Sequence, residues 1–279
     1  MTYVVFDIGG TKTRVAVSND LKTFEKVEKV NTDPKFKEGV KEVVNTIKDI
    51  TGEEIKGIAG GIRGRLQEDK AGIENDGVLT DWAGKDLVGE LKKAFDIPVF
   101  LENDAAIAGL GEAVYGAGKG FDIVAYHTVS TGVGGAKIEN ETIDEASVGF
   151  EPGHQILDID RTVLGEEIVP TLENLVSGTA LAERFKCKAY EIPQSDVVWD
   201  ELAEYLAQGL RNTVMYWSPD AIILGGSMIV GDPAILIDPI RKYTVEILDG
   251  FVECPYIAKA ELGDDAGLYG GLALLKQNS

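Results

Sequence analysis

A chain of 279 residues with 44% hydrophobic residues has ample apolar surface for one large domain or two small ones, which excludes intrinsic disorder as its main state. Against 27 Lys+Arg stand 47 Asp+Glu, a net charge of −20, so the average surface repels phosphate backbones and anionic lipid. Broad nucleic-acid or membrane-surface binding would need a basic patch, and the sequence has none. Cys187 and Cys254 are too few and too far apart for a disulfide framework or a zinc knuckle, and both read as buried free thiols. No apolar run approaches the roughly 18–20 residues that cross a bilayer, and Met1 to Asp7 lacks the basic start of a signal peptide. The expectation is a soluble, cytoplasmic protein.

In chain order, Tyr3 to Phe6 is a β-branched and aromatic run, followed by Asp7-Ile8-Gly9-Gly10-Thr11-Lys12-Thr13 and the alternating run Arg14 to Val17. This predicts a strand, a glycine turn and a second strand. Helical spacing of apolar residues follows at about 36–51, 84–95, 105–114, 177–185 and 200–216. The hairpin pattern returns at Ile123 to Val129, Ser130-Thr131-Gly132-Val133-Gly134-Gly135 and Ala136 to Ile138. A second pair of segments, Ile55 to Gly61 and Ala221 to Gly226, each runs a strand into paired glycines. Two pairs in the same order predict two related halves of α/β or α+β class. The glycine-rich stretch Tyr115 to Gly120 is the natural boundary, with lobes over 1–117 and 118–264 and a cleft between them. A small-residue helix at about 265–279 is expected to pack back on the first lobe.

A glycine turn between strands exposes backbone N–H groups and lets an anion approach the main chain. In the first turn Thr11 adds a hydroxyl and Lys12 a charge, and Asp7 could hold Mg²⁺ through water. One such turn reads equally as an ordinary hairpin; two facing turns can clamp a polyphosphate. A P-loop is absent, since Gly118-Lys119 is followed by Gly120 and position 113 is Ala113. Pro98 to Ala106 reads as a short strand ending in Asn103-Asp104 at the start of a helix. There Asp104 would serve either as helix cap or as a general base that takes a proton from an attacking hydroxyl. Glu151-Pro152-Gly153-His154 places a histidine beside a carboxylate in a tight turn suited to binding hydroxyls. His127, mid-strand among apolar residues, reads as a core residue.

With these motifs the sequence resembles the ROK family of sugar kinases and related repressors. The resemblance runs through Asp7 to Thr13, Leu101 to Ala105, Ser130 to Gly135, Glu151 to His154, Leu172 to Gly178 and Pro219 to Gly226, in family order. It implies the actin-like ATPase (ribonuclease H-like) fold, ATP and Mg²⁺ as cofactors, and a homodimer. It further implies Asp104 as catalytic base and Asn103, Glu151, His154 and Glu173 as holders of sugar hydroxyls. Gly9, Gly10, Thr11 and Lys12 with Thr131, Gly132 and Gly134 would enclose the phosphates, and Gly225 and Gly226 would lie near the adenosine.

Two departures stand out. Most of the family holds a zinc ion with the histidine equivalent to His154 and three cysteines, whose places here hold Leu164, Glu166 and Thr171, so no zinc is expected. The loop 156–170 would then be ordered by packing of Leu157, Ile159, Val163, Leu164, Ile168 and Val169. Arg63-Gly64 stands where many members carry Pro-Gly beside the sugar. The activity implied is transfer of the γ-phosphate of ATP to the 6-hydroxyl of a hexose, glucose first, with N-acetylmannosamine or N-acetylglucosamine as the alternative acceptor. Polyphosphate could replace ATP as the donor, and outside catalysis the resemblance also allows a sugar sensor. A DNA-binding repressor is disfavoured, because the first phosphate strand begins at Tyr3 and the charge is acidic.

Overall fold

The computed structural model describes residues 2–52, 54–144, 146 and 149–278. The chain divides into two units, one comprising the described residues of 1–115, 145–149 and 264–279, the other those of 116–144 and 150–263.

In the first unit, β1 (Thr2–Ile8) pairs antiparallel with β2 (Lys12–Ser18), and β2 with β3 (Lys26–Asn31). After α1 (Phe36–Ile50), β4 (Ile55–Ile62) lies parallel to β1. A small hairpin of β5 (Arg65–Leu66) and β6 (Ile73–Asn75) and then α2 (Leu87–Phe95) lead to β7 (Val99–Asn103), parallel to β4, and α3 (Asp104–Tyr115). The sheet order is β3-β2-β1-β4-β7. Helices cover both faces, so its central strands are apolar throughout rather than alternating. Val4, Phe6, Ile8, Ile58 and Ile62 pack on Val40, Val43, Ile47 and Leu91 of α1 and α2.

The second unit repeats the plan. The hairpin β8 (Ile123–Val129) and β9 (Val133–Glu139) with β10 (Thr142–Ile143) is followed by α4 (Leu172–Val176), α5 (Gly178–Phe185) and α6 (Val198–Trp217). Then come β11 (Ala221–Gly225), α7 (Ser227–Val230), α8 (Ile237–Leu248) and β12 (Tyr256–Lys259). The order β10-β9-β8-β11-β12 matches the first sheet strand for strand, including the two parallel pairs. The last helix, α9 (Ala266–Gln277), returns to the first unit, where Leu268, Leu272 and Leu275 pack on Val5, Ala16 and Ala59. The fold is α/β, as the repeated hairpins predict.

Sequence periodicity misses β3, β12 and α8. β3 is an edge strand whose Lys26, Glu28 and Lys29 keep its side chains in water and leave no apolar alternation to read. Cys187 and Cys254 are half-buried rather than buried. The loop 156–170 is held in part as expected, since Leu157 and Ile168 pack with Leu164 on the core of the second unit. Leu164 is buried, but Ile159 and Val169 are 80% and 59% exposed. Order comes from the Asp158 carboxylate, which accepts the N–H groups of Val163 (3.2 Å) and Leu164 (2.7 Å), and from Arg161, which donates to the Ile168 carbonyl. Among the described residues no helix is long and apolar enough to cross a membrane.

Helices α3 and α9 cross backbone to backbone. A Cβ at Gly270 would lie 1.7 Å from the Ile107 carbonyl oxygen, and one at Gly111 2.2 Å from that of Ala266. Gly270→Ala is therefore expected to lower unfolding free energy by about 2 kcal/mol or more, because backbone cannot yield as a side chain does. Gly52→Ala, whose Cβ would meet nothing within 4 Å, should change it by less than about 0.5 kcal/mol. Urea midpoints of the two variants check this.

Candidate active site

Three parallel neighbours deliver the polar residues of the first unit. The register aligns Asp7 with Gly61 and Gly61 with Glu102, and sets Ile62 beside Asn103. Gly61 has no side chain in this row; a Cβ there would lie 2.6 Å from Ile107 Cγ2, 3.5 Å from Asp104 Cα and 3.8 Å from Asp7 Oδ1. Asn103, not Asp104, caps α3: its Oδ1 accepts from Ala105 N (2.9 Å) and Ala106 N (3.1 Å), while its Nδ2 donates to the Gly64 carbonyl (3.1 Å). Asp104 Oδ1 accepts from Ala105 N (2.9 Å), leaving Oδ2 without a hydrogen bond among the described residues. Glu102 braces the segment from below, paired with Lys70 and accepting from Asn103 N.

Burial pushes the Asp104 carboxyl up to about 6; the Ala105 N–H and Arg63 pull the other way, and Asp76 adds to the rise. Burial also pushes Asp7 up to about 6, helped by the charges of Asp104 and Asp264 and opposed by Arg14, which stands 3.7 Å away. The turn between β1 and β2 is closed by Gly9 N donating to Lys12 O (2.9 Å). Neither of its glycines has positive φ, so the turn does not use them for a left-handed backbone. A Cβ at Gly10 would meet Val78 Cγ1 at 2.9 Å and Arg63 Nη1 at 3.0 Å. Thr11 is exposed; Lys12 begins β2, is also exposed, and donates to Asn31 Oδ1.

In the second unit Val133 is the meeting point. Its N–H donates to Glu173 Oε2 (2.7 Å), and a Cβ at Gly153 would lie 2.3 Å from its carbonyl oxygen. Pro152 and Gly153 are thus packed on β9, and Glu151 and His154 on either side are exposed. A Cβ at Gly132 would come within 2.6 Å of Glu173 Oε2, so this turn too needs glycine for close approach. Ser130 is fixed by Gly178 N on its carbonyl (2.7 Å) and by Ser227 Oγ (3.0 Å). Gly134 is not in the turn but inside β9, opposite Thr128. Gly225 ends β11, and Gly226, with φ +84°, has Val129 backbone 2.3 Å from where a Cβ would be. Beside the turn a cavity of about 520 Å³ is lined by Thr131, Thr179, Glu183, Lys186, Ser227 and Met228, among others. Only Thr131 of these six is singled out by sequence reasoning, because α5 reads simply as an amphipathic helix. His127 is a core residue: buried, bonded through Nε2 to Thr213 Oγ1 (3.0 Å), stacked on Trp217, and pushed down to about 4 by burial.

The profile of the ROK family matches residues 3–278. The chain belongs to the ROK family. It is 28% identical to a fructokinase of Lactococcus lactis subsp. cremoris over 263 residues, covering 91% of this chain and 87% of that protein. Among solved structures it is similar to the ROK hexokinase of Thermus thermophilus (TM-score 0.82, 27% identity, 100% of both chains). It is also similar to a ROK family glucokinase from Streptomyces griseus, solved with glucose and AMPPNP (TM-score 0.80, 27% identity, 99% and 100% covered). The fold is accordingly the actin-like ATPase fold.

Two of the three residues in place of the ROK zinc cysteines are otherwise engaged. Leu164 is in the core, Glu166 is exposed, and the Thr171 hydroxyl caps α4 by accepting from Asn174 N (3.3 Å). This donor set does not fit zinc. Asp7, a half-buried carboxylate at a strand end, fits a Mg²⁺ ion held through water.

Because Asp104 is pushed up from 3.8 to about 6, its ionisation costs stability: fully above about pH 6, and not at all below about pH 3.8. Asp104→Asn is therefore expected to melt at a higher temperature than the wild type at pH 8, by an amount corresponding to at most about 3 kcal/mol. The gain should vanish near pH 4. Calorimetric melts across this range measure it.

Proposed function

We propose that this chain is an ATP-dependent sugar kinase that transfers the γ-phosphoryl group of Mg·ATP to the 6-hydroxyl of glucose, with Asp104 as general base. The observation that carries this reading is the state of Asp104. Asn103 relieves it of capping α3, its Oδ2 is unbonded among the described residues, and its carboxyl titrates at about 6, so it is ionised yet basic at neutral pH. In the step, the sugar oxygen forms a bond to the γ-phosphorus, the bond from that phosphorus to the β,γ-bridging oxygen breaks, ADP leaves, and the hydroxyl proton passes to Asp104.

In the first unit the N–H groups of Gly10 and Thr11, in a turn closed by Gly9, and in the second unit those of Thr131 and Gly132, are phosphate donors in this reading, and the cavity beside α5 and α7 takes the nucleoside. Glu151, His154 and the Oε1 of Glu173 hold sugar hydroxyls. Asn103 fixes Asp104 through its bonds to α3 and Gly64, and its second Nδ2 hydrogen is left to donate to a sugar hydroxyl. Mg²⁺ supplies charge neutralisation on the phosphates, with Asp7 as its carboxylate on this chain. The Lactococcus lactis relative makes fructose the second acceptor in this reading. A sensor without catalysis has no use for a half-buried carboxylate with one oxygen free of hydrogen bonds at this point.

The test is ADP release with Mg·ATP and glucose, fructose, mannose, N-acetylmannosamine or N-acetylglucosamine, using protein stripped with chelator and resupplied with Mg²⁺ alone. One preferred sugar is expected. Asp104→Asn should lower kcat by about 10²–10⁴-fold. For the wild type, kcat/KM should fall as pH drops through about 6, because the base is lost on protonation. Silence on every sugar, or full activity of Asp104→Asn, overturns the reading.

A further inference from the structure

A cation other than the one its motif supplies packs on the first glycine turn. Lys12 is exposed and turned to Asn31 at the sheet edge, whereas Arg63 leaves the end of β4 and lays its guanidinium against Gly10. Its position is built by several independent contacts. Arg63 N donates to the Ile8 carbonyl (3.1 Å), and Nε donates to Asp76 Oδ1 (3.0 Å). The other oxygen of Asp76 accepts from Val78 N (3.0 Å) and Leu79 N (2.7 Å). Gly64, at φ +101°, is boxed in by Asn75 and Asp76, and its carbonyl is held by Asn103.

A guanidinium carries five N–H donors in a planar fork that matches phosphate oxygens. Asp76 uses only Nε, and among the described residues neither Nη group has a hydrogen-bond acceptor. The side chain is one-third exposed, so these donors are reachable. Nη1 lies 3.0 Å from where a Cβ of Gly10 would be, and the guanidinium charge is felt at Asp104.

We propose that Arg63 is a catalytic residue that donates its Nη hydrogens to the oxygens of the transferring γ-phosphoryl group above Gly10. This rests on the kinase reading. The ion pair with Asp76 fixes the fork in advance of binding, so the positive charge costs little reorganisation when charge builds on the phosphoryl oxygens. A lysine at 63 would keep the charge and lose the two-pronged geometry.

The experiment compares wild type, Arg63→Gln and Arg63→Lys in two measurements. Calorimetric titration with Mg·ADP and with the non-hydrolysable Mg·AMPPNP isolates the γ-phosphate. Arg63→Gln should bind AMPPNP roughly tenfold more weakly while ADP affinity stays within about twofold, since one charge-assisted contact is lost. In steady-state kinetics its kcat should fall about 10²-fold, as for loss of one preorganised donor, with sugar KM within about threefold. Arg63→Lys should recover part of kcat, and a wild-type melting profile for either variant certifies its fold. Equal weakening of both nucleotides, an unchanged kcat, or a raised sugar KM at unchanged kcat overturns the assignment, the last by making Arg63 a sugar contact. If the wild type phosphorylates no sugar the kinase reading fails by itself, and the ADP against AMPPNP comparison still decides whether Arg63 receives the γ-phosphate.

Discussion

Asp7 near the end of β1 feels the charge of Asp104, which opens α3 directly after β7, and Gly61, level with Asp7 on β4, leaves the space beside both without a side chain. Parallel strands spaced by about 4.8 Å fix how far apart such groups can be. The strand between them therefore needs a residue without a side chain level with Asp7, and it must be apolar on the face that packs on α1 and α2. Gly60-Gly61-Ile62 meets both demands. A methyl at Gly61 would push on Ile107 and so displace the helix that begins with Asp104. Carboxylates raised to about 6 by burial destabilise the folded chain, and the surrounding sheet, covered by helices on both faces, carries that cost.

The second unit solves a related problem with a different device. There the two residues expected to meet a sugar, Glu151 and His154, lie on an exposed turn, and their placement depends on the buried Pro152-Gly153 pair between them. Val133 ties this turn, Glu173 and the second glycine turn to one point on β9, through its N–H on one side and its carbonyl on the other. Movement of any one of the three is felt by the others. The loop 156–170 needs no metal for a comparable reason. A single carboxylate, Asp158, gathers the backbone N–H groups of Val163 and Leu164, and Arg161 returns to the Ile168 carbonyl. One carboxylate and one guanidinium, each bonded to backbone, thus do the ordering that a tetrahedral zinc would otherwise supply.

The plan of the fold was legible because it is written twice: each hairpin, glycine turn and strand into paired glycines recurs in order, and the two sheets share one strand order. Helices with clear apolar spacing were legible as well, and the elements that were missed have neither signal. β3 is an edge with charged side chains, and α8 carries Pro239 in its first turn, which reads as a break although proline is tolerated there. Residue identity pointed to Asp104 but not to who caps α3, since both Asn103 and Asp104 are good capping residues and only the backbone decides. The glycine turns were read for their conformational freedom, yet Gly10 and Gly132 are needed because Arg63, Val78 and Glu173 come too close for a Cβ. Contacts of that kind join residues distant in the chain, and no local spacing rule reports them.

Asp76 shows how far such a long-range contact can reach. Against the upward push of burial, the N–H groups of Leu79 and Val78 and the Arg63 guanidinium hold its carboxyl below the usual carboxylate range. It therefore stays ionised and binds a backbone turn and a guanidinium together. Both groups it organises press on Gly10. Asn103 adds the complementary link, capping α3 with its oxygen and holding the Gly64 carbonyl with its nitrogen. One amide thus couples the position of Asp104 to that of the Arg63-Gly64 corner. The base, the cation and the glycine turn form one mechanical unit built from three strand ends, and a substitution at Asn103 acts on all three through the bonds its side chain makes within the protein.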